Sequence, residues 1–516
     1  PASFNISAEY SNRGRITLSS ANSQDTTTQI ALLTNGNSRL TIDKAGNANF
    51  TGSVGLGISS PISTLHVYED NSETTSTHGI TVEQDGTGDA VVQYLLTGVR
   101  RWVTGIDNSD SDKFKIASSG DLGSDAHFVI DTSGAATFAG AVTATSYNGI
   151  PFYTNANSMY THDVSGTENS ASANTAYGFG AMDAITTGDS NAAIGVNALG
   201  VLTTGSRNVA IGHAAGDNLV SGTENVAVGY AALSTEDGHG KNVAIGSYAL
   251  VNQNAGTDAY NVAIGASAGS AITTGETNVI VGGLAGDALT TSSSNVAVGY
   301  SALSTEDTGR KNVAIGYKTL HAQNSDVDNY NVAVGYTAGE AITTGVENVL
   351  IGALTGDALT TGIENTAIGH QALSAAQTSH ANVAIGHQSL ATQSADGYTF
   401  NTAVGYNSGQ QVTSGSQQVL IGAYTGDALT TGAQNVAIGY KALTGEDTGN
   451  KNIAIGTNAL EVLNYNGDGY NVAIGHDSGK SMTTGIQNTL IGGLAGDALT
   501  TGAYNTVLGY SALSSE

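Results

Sequence analysis

Carboxyl groups that could act as general acids or bases recur in this chain at one fixed position. Four aspartates occupy the same place in a repeated Gly-Asp-Ala-Leu-Thr-Thr phrase: Asp287, Asp357, Asp427 and Asp497. A glycosidase needs one unique pair of carboxyl groups at a set separation. A periodic set provides no such pair within one chain. The pattern therefore predicts solvated acidic turns and disfavours a polysaccharide depolymerase, although a pair assembled across subunits stays open.

Histidines are the other candidates for chemistry. His370 and His387 lie 17 residues apart and could share a metal ion, but no third ligand recurs with them. The chain has no Cys, which excludes thiolate metal sites and cysteine catalysis. No nucleotide-binding or Gly-x-Ser-x-Gly phrase occurs in context. We therefore predict that the protein is not an enzyme and has no metal or cofactor. Calcium between acidic turns of neighbouring chains is left open, since no EF-hand phrase is present.

Aromatic residues offer the candidate contact surfaces. Four of them recur at one position of the repeat described below: Tyr260, Tyr330, Phe400 and Tyr470. Arg101 and Trp102, beside Arg100, form the one basic-aromatic cluster. Such rings could stack on sugars or touch an anionic glycan. They could equally brace a turn or a chain–chain contact, which is the interpretation we favour.

A five-residue phrase of the type Asn-Val-Ala-Ile-Gly governs the chain from Asn174 onward. It occurs in 20 copies, and from Asn191 onward the copies are separated by 17, 17, 17 and then 19 residues, so that a larger unit closes every 70 residues. The first residue is Asn except at Gln418, and the fifth is always Gly. Seventeen residues are too few for a helical hairpin, and the alternating apolar residues predict a short strand. We expect a β-solenoid with two short strands and two turns per coil.

The recurrent Asn has two interpretations. Its side-chain amide could donate to one neighbouring coil and accept from the other, which would form an inward-facing ladder. Alternatively, Asn could simply tolerate a left-handed turn conformation. We favour the ladder. For the interior we also expect Leu233, Leu250, Leu303 and Leu320, and in coils with Gly at that position a leucine three residues later, such as Leu219 or Leu289.

The third position of the phrase is small and apolar, and we expect it to face outward. A soluble monomer rarely exposes so long an apolar stripe, so this position predicts a chain–chain interface. The residues assigned to that interface are Ala193, Ala210, Ala227, Ala244, Ala263, Ile280, Ala297, Ala314, Leu350, Leu420 and Leu490.

Composition is consistent with a fibrous protein. Charged residues make up 11% of the 516 residues, Gly accounts for 69, and the formal net charge is −27. This charge disfavours nucleic acid as a partner. No apolar stretch is long enough for a membrane-spanning helix, so no membrane insertion is expected.

The repeats resemble two known families. Phrases such as Asn242-Val-Ala-Ile-Gly246 are similar to the head repeats of trimeric autotransporter adhesins, which form a left-handed parallel β-roll of three chains. The 17/19 spacing with Thr-Thr-Gly turns is more similar to repeats of bacteriophage tail fibres. Val54-Gly-Leu-Gly-Ile-Ser-Ser-Pro61 likewise resembles a linker phrase of phage fibre shafts. Handedness and trimeric state are implied by the resemblance only.

Four regions are predicted: a β shaft segment over 1–60, a compact β domain with a strand–turn linker over 61–150, a connector over 151–173, and the β-roll shaft over 174–516. Strands are expected around 79–82, 90–96, 101–103, 114–116 and 128–131. The last residue, Glu516, is in phase with Glu306, which suggests a piece of a longer protein.

The combined prediction is an all-β homotrimeric β-roll in an extracellular virion fibre. Its function would be structural: it would extend from a phage tail and attach to the host surface. Its partners would be itself, other tail or virion proteins, and a host glycan or protein. The alternatives are a bacterial trimeric surface adhesin, distinguishable by an anchor beyond Glu516, a depolymerase tailspike, and an ice-binding solenoid. The Thr-Thr pairs form no unbroken flat ladder, which disfavours ice binding.

Overall fold

The computed structural model describes residues 30–34, 37–43, 45–68, 80–98, 100–139, 153–155, 158–161 and 170–515. The chain divides into two compact units, Pro1–Thr143 and Ala144–Glu516. Most of the predicted connector 151–173 and the first 29 residues of the predicted shaft segment lie outside the described residues.

The first unit consists of small β-sheets. Its strands are β1 (Ile30–Thr34), β2 (Asn37–Ile42), β3 (Ala48–Phe50), β4 (Val54–Leu56), β5 (Leu65–Val67), β6 (Ala90–Leu96), β7 (Arg100–Asp107), β8 (Lys113–Ala117), β9 (Ala126–Ile130) and β10 (Ala136–Phe138). Strands β1–β3 form one antiparallel sheet, β4 and β5 pair in parallel, and β6–β10 form a five-stranded antiparallel meander. A single 3-10 turn, Asn108–Asp110, connects β7 to β8. The predicted strands around 90, 101, 114 and 128 are confirmed. The one at 79–82 is wrong over its described part, because residues 80–82 do not form a strand.

The second unit is a stack of three-residue parallel strands. After the hairpin β11 (Tyr153–Asn155) and β12 (Ser158–Tyr160), its strands are β13 (Thr175–Tyr177), β14 (Ala192–Ile194), β15 (Val209–Ile211), β16 (Val226–Val228), β17 (Val243–Ile245), β18 (Val262–Ile264), β19 (Val279–Val281), β20 (Val296–Val298), β21 (Val313–Ile315), β22 (Val332–Val334), β23 (Val349–Ile351), β24 (Thr366–Ile368), β25 (Ser379–His380), β26 (Val383–Ile385), β27 (Gly397–Tyr398), β28 (Thr402–Val404), β29 (Val419–Ile421), β30 (Val436–Ile438), β31 (Ile453–Ile455), β32 (Val472–Ile474), β33 (Thr489–Ile491) and β34 (Thr506–Leu508).

These strands confirm a parallel β-solenoid of about twenty turns. Equivalent residues of successive phrases pair directly: Val226 lies beside Val243, and Val243 lies beside Val262. The expected second strand of each coil is wrong. Apart from the short pair β25 and β27 and the isolated bridges Arg310–Asp328 and Asn450–Asp468, the rest of each described coil consists of turns, bends and irregular segments. These segments form hydrogen bonds to the equivalent segments of the adjacent coils.

The predicted Asn ladder is confirmed. In the phrase that begins at Asn348, the side-chain Oδ1 accepts the backbone N–H of Asn365 at 3.1 Å, and Nδ2 donates to the carbonyl of Gly362 at 2.9 Å. The side-chain oxygen accepts a backbone N–H in the same way along the stack, whereas Nδ2 of Asn242 and of Asn312 makes no hydrogen bond. All of these amides from Asn174 to Asn488 are buried. The alternative, a left-handed Asn, is wrong because the residue before it has that conformation, for example Glu347 at φ 60° and Glu364 at φ 60°.

The predicted outward orientation of the third phrase position is wrong. Ala193, Ala210, Ala227, Ala244, Ala263, Ile280, Ala297, Ala314, Leu350, Leu420 and Leu490 are all buried in the interior of their own coil. Side chains alternate along a strand, so the first and third residues share one face. Because the Asn amide points inward, the third residue must do so too, and the β-branched second and fourth residues face outward.

The interior is packed by reciprocal changes of side-chain size. Leu350 reaches into space that its neighbours leave open, since a Cβ on Gly339 would lie 2.8 Å from its Cδ1 and a Cβ on Gly356 would lie 2.9 Å from its Cδ2. Leu420 has the same relation to Gly409 and Gly426. The expected core leucines are also buried: Leu219, Leu233, Leu250, Leu289, Leu303 and Leu320. A large third residue therefore fills the volume that glycines of its own coil and of the preceding coil leave free.

Replacement of one ladder amide tests its energetic role. Asn348→Ala leaves the N–H of Asn365 and the carbonyl of Gly362 without these partners. We expect the free energy of unfolding to fall by about 1–3 kcal/mol for each group. The measurement is denaturant unfolding followed by circular dichroism. The matched control is Asn348→Gln, because Gln418 occupies an equivalent position and its Oε1 accepts the N–H of Asn435 at 3.1 Å. A loss for Gln equal to that for Ala would contradict the ladder argument.

The phrase-final glycine is required by both conformation and space. Gly369 has φ +135°, and a Cβ there would collide with the carbonyl of Gly386 in the next coil. We expect Gly369→Ala to lower stability by about 3 kcal/mol or more. Gly256 is the control: no atom lies within 4 Å of its Cβ position. Gly256→Ala should be neutral or stabilising by up to about 1 kcal/mol in the same assay. Equal effects of the two substitutions would argue against the close approach of the coils.

Candidate interaction surface

The outward face of the strands is apolar and uncharged. We call the second and fourth phrase positions, from Thr175 to Leu508, the outer ribbon. None of these positions carries a charge, and most are Val or Ile. Their side chains are partly exposed, for example 44% for Ile194, 41% for Ile211 and 38% for Ile351. About twenty coils at about 4.8 Å each make a ribbon about 95 Å long and on the order of 600 Å² in area. Patches of that size on soluble proteins usually mark interaction sites.

Aromatic rings form a column beside the outer ribbon. They follow the phrase-final glycine in many coils, and neighbouring rings stack with centroid separations of 5.8 Å for Tyr300–Tyr317 and 5.3 Å for Tyr317–Tyr336. The predicted histidine pair belongs to this column, since His370 and His387 stack at 5.3 Å with an interplanar angle of 18°. Stacked rings cover one another's faces. The column therefore presents ring edges, which are poor platforms for a sugar.

The four recurrent aromatics Tyr260, Tyr330, Phe400 and Tyr470 are exposed by about half, as expected of surface positions. The three tyrosines each lie beneath a lysine. In the second 70-residue unit, Lys311 Nζ lies 4.7 Å from the ring centroid of Tyr330 and 2.6 Å from Asp328 Oδ2. The hydrogen bond to Asp328 raises the pKa of Lys311, and it lowers the pKa of Asp328. This bracing supports the structural interpretation of these rings.

Each lysine cluster accompanies a fully buried glutamate. Glu306 and Glu446 are inaccessible to solvent, and burial raises the pKa of each. Glu306 Oε1 accepts the N–H of Gly309 at 2.7 Å, and Oε2 accepts the side-chain amide of Asn329 at 2.9 Å. Sequence analysis missed these glutamates. The available signal was their recurrence at 236, 306 and 446 immediately before an aspartate.

A related cluster in the first 70-residue unit of the solenoid contains a histidine. Glu236 is inaccessible to solvent, and His239 Nδ1 lies 3.6 Å from its Oε1. Asp237 completes the group, and one ligand atom from each of the three lies within 4.8 Å of the others. Among the described residues, no other group of three or more such side chains is so closely arranged. The sequence-based prediction of no metal site did not consider this cluster.

The predicted contact residues of the first unit lie on its meander. Trp102 is 36% exposed, and its ring lies 5.3 Å from that of His127. Arg101 is exposed beside it and pairs across the sheet with Leu95. Leu95 and Leu96 are themselves largely exposed, whereas the described core of this unit contains only Val103, Ala117 and Leu122. This sheet therefore leaves a second apolar surface open.

An ion-pair network crosses the same meander. Lys115 is buried and lies 2.7 Å from Asp107 Oδ2 and 2.6 Å from Asp110 Oδ2. Hydrogen bonds to the two aspartates keep the pKa of Lys115 above its ordinary value, despite the opposing effect of burial. Hydrogen bonds from Lys113 and Lys115 lower the pKa of Asp110 to about 2. The lysine therefore stays protonated at neutral pH, so this network acts as a clamp between strands and cannot supply an amine nucleophile.

The recurrent aspartates do not come together within one chain. Asp287 and Asp357 belong to equivalent coils four turns apart, which is about 19 Å along the stack. Glycosidase carboxyl groups are about 5–9.5 Å apart. Asp287 and Asp357 are each half-buried with one oxygen that makes no hydrogen bond, and burial raises their pKa values. The spacing agrees with repeated turn residues.

The geometry defines the class of the second unit as an all-β parallel solenoid with an apolar outer ribbon. Comparisons with protein-family models, curated proteins and solved structures found no match to this chain. None of the described residues forms a helix that could traverse a lipid bilayer.

The buried glutamates predict a pH dependence of stability. A carboxyl group with a raised native pKa binds its proton more tightly in the folded state. Its contribution to stability is therefore complete below the unfolded value of about 4.3 and is lost as pH rises through the native pKa. We expect the melting temperature of the full chain to fall as the pH rises above the unfolded value of about 4.3.

Glu306→Gln should reduce that fall. The unpartnered Oδ1 of Asn329 can accept from the new amide if the Asn329 amide rotates. At pH 8 the variant should melt above the parent chain, and the difference should shrink toward pH 4. The exposed Glu364→Gln is the control, with an unchanged profile. A Glu306→Gln chain less stable than the parent at pH 8 would count against this assignment.

Proposed function

We propose that the chain is a non-enzymatic, homotrimeric fibre of a bacteriophage tail that attaches to, or presents contacts to, the host surface. The observation that carries this proposal is the uncharged outer ribbon along about twenty coils. The resemblance of the 17/19-residue repeats to phage fibre repeats supports the phage assignment and a left-handed roll of three chains.

Association through the outer ribbon replaces the predicted interface at the third phrase position. The area on the order of 600 Å² per chain is slightly below the roughly 800 Å² that stable interfaces bury on each partner. The adjacent aromatic column, which includes Tyr317 and Tyr336, widens the surface. An axis of rotational symmetry lets every copy cover the same ribbon without an open-ended assembly. The ribbon is also the part of the surface where chains with a net charge of −27 can approach without charge repulsion.

The first unit supports the same proposal. Its small described core and its exposed Leu95 and Leu96 indicate that partner chains complete it. Arg101 and Trp102 would then lie near, or at, a contact between copies or with the host surface. Trimerisation would also make weak receptor contacts multivalent.

Introduction of positive charge on the outer ribbon tests the assembly. The full chain should have a native mass of three times 51.8 kDa in analytical ultracentrifugation. The double variant Ile351→Lys/Ile421→Lys places unpaired ammonium groups in the proposed interface, each costing several kcal/mol when buried. It should dissociate with its circular dichroism unchanged. Thr361→Lys, on an exposed turn, is the control and should stay trimeric. A monodisperse monomer of the unmodified chain would overturn the proposal.

The attachment function needs its own test. Fluorescently labelled full chain should bind cells of a susceptible bacterium, and the dissociated double variant should bind more weakly because it is monovalent. Binding without release of reducing sugar from the cell polysaccharide is expected. Sugar release would instead support a depolymerase, and location of the chain on bacterial surfaces without phage would support an adhesin.

A further inference from the structure

We propose that Glu236, Asp237 and His239 bind one divalent transition-metal ion of the zinc type in each chain. The three side chains occupy one turn that precedes the coil containing Tyr260. Their ligand atoms lie within 4.8 Å of one another, which small side-chain rotations can reduce to the spacing around a zinc ion. Glu236 lies at the inner end of the cluster, whereas His239 and Asp237 reach solvent, so an ion has a path of entry.

Two buried atoms point to a ligand at this position. Glu236 Oε2 and His239 Nδ1 both lack a hydrogen-bond partner, although neither is accessible to solvent. The backbone N–H groups of His239 and Ala255 face the same carboxylate, and the N–H of His239 donates to Oε1 at 3.1 Å. The separation of 3.6 Å between His239 Nδ1 and Glu236 Oε1 is too long for a hydrogen bond. A bound cation would satisfy both atoms.

In other 70-residue units, hydrogen bonds from the protein satisfy the equivalent carboxylate without an ion. In the second unit, Asn329 donates to Glu306 Oε2. In the fourth unit, Tyr465 donates its N–H to Glu446 Oε2 at 3.3 Å. The first 70-residue unit has Ala259 where the second 70-residue unit has Asn329, so no side-chain amide is available to Glu236.

The space beside the glutamate also distinguishes the first 70-residue unit from the second and fourth. Gly309 and Gly449 stand where the first unit has His239. A Cβ at Gly309 would collide with the amide of Asn329 and would lie 2.5 Å from the Glu306 carboxylate carbon. The histidine is therefore compatible only with a unit that lacks that amide. The third unit has Ala376 in place of the glutamate and Ser379 in place of the histidine.

The ligand set selects the kind of ion. One imidazole and two carboxylates, with water in a fourth position, suit zinc and related ions, whereas calcium prefers oxygen ligands alone. The neighbouring cation, Lys241, is neutralised by Asp258 at 2.6 Å and does not oppose binding. The proposal concerns a structural ion and is independent of the trimeric assembly.

Isothermal titration calorimetry of the untagged, chelator-treated full chain with zinc chloride tests the site. We expect saturable binding of one zinc per chain and a higher melting temperature with zinc. His239→Gly introduces the residue that the second and fourth units carry, and it should weaken binding by roughly tenfold or more. Glu236→Gln should do the same if it folds. Cobalt(II) should give a visible d–d absorption band that His239→Gly abolishes, and calcium should not compete.

The control is His476→Asn. His476 is an exposed histidine 3.2 Å from Asp477, so it represents ordinary surface binding of zinc. This variant should bind zinc at the cluster as tightly as the parent chain. Lack of saturable binding to the parent, or binding that survives His239→Gly unchanged, would overturn the proposal.

Discussion

Register between neighbouring coils is the constraint on which the solenoid depends. A three-residue strand has too few backbone hydrogen bonds to hold its coil, so the turns must also bond to the turns above and below. The Asn amides link these layers: Asn348, for example, accepts the backbone N–H of Asn365 in the following coil and donates to the side-chain oxygen of Asn331 in the preceding coil. One residue type thus satisfies backbone groups that lie at a bend and would otherwise be orphaned.

This ladder determines which residues can form the core. Since the first phrase residue is fixed inward, the third shares a narrow interior with leucines from the opposite side of the coil. Alanine is the usual solution, and a residue as large as Leu350 is accommodated only where Gly339 and Gly356 vacate volume. The tight turns also impose strained backbone conformations, because residues such as Glu347 adopt left-handed φ angles although they are not glycine. The ordered neighbouring coils hold them there.

The sequence predicted the parallel solenoid, the ladder and the core leucines, because each rests on strict periodicity. It assigned the wrong face to Ala193 and Leu350, although the inward Asn two residues earlier already implied the answer. The assignment was wrong because an alanine is compatible with close backbone approach either to another chain or to the opposite wall of its own coil. The Glu236 cluster was missed although its three residues lie within one turn, because nothing in the sequence indicates that Glu236 is buried. The prediction of a second strand was wrong because the turns of adjacent coils form hydrogen bonds to one another without an extended backbone.

Variation between the 70-residue units shows where this architecture can carry specific chemistry. In the third unit, Ala376, Ala381 and Phe400 together replace the buried glutamate, the lysine and the tyrosine of the other units. The replacement is coordinated, since Phe400 stacks on Tyr398 at 5.4 Å where the other units have a lysine–aspartate pair. The outer ribbon remains uncharged in all four units, and the core varies mainly in the size of its side chains. Charged groups, the proposed metal ligands and the stacked rings are therefore confined to the turns, which can change as a group without altering the register of the coils. Specific recognition by such a fibre would have to evolve at these turns.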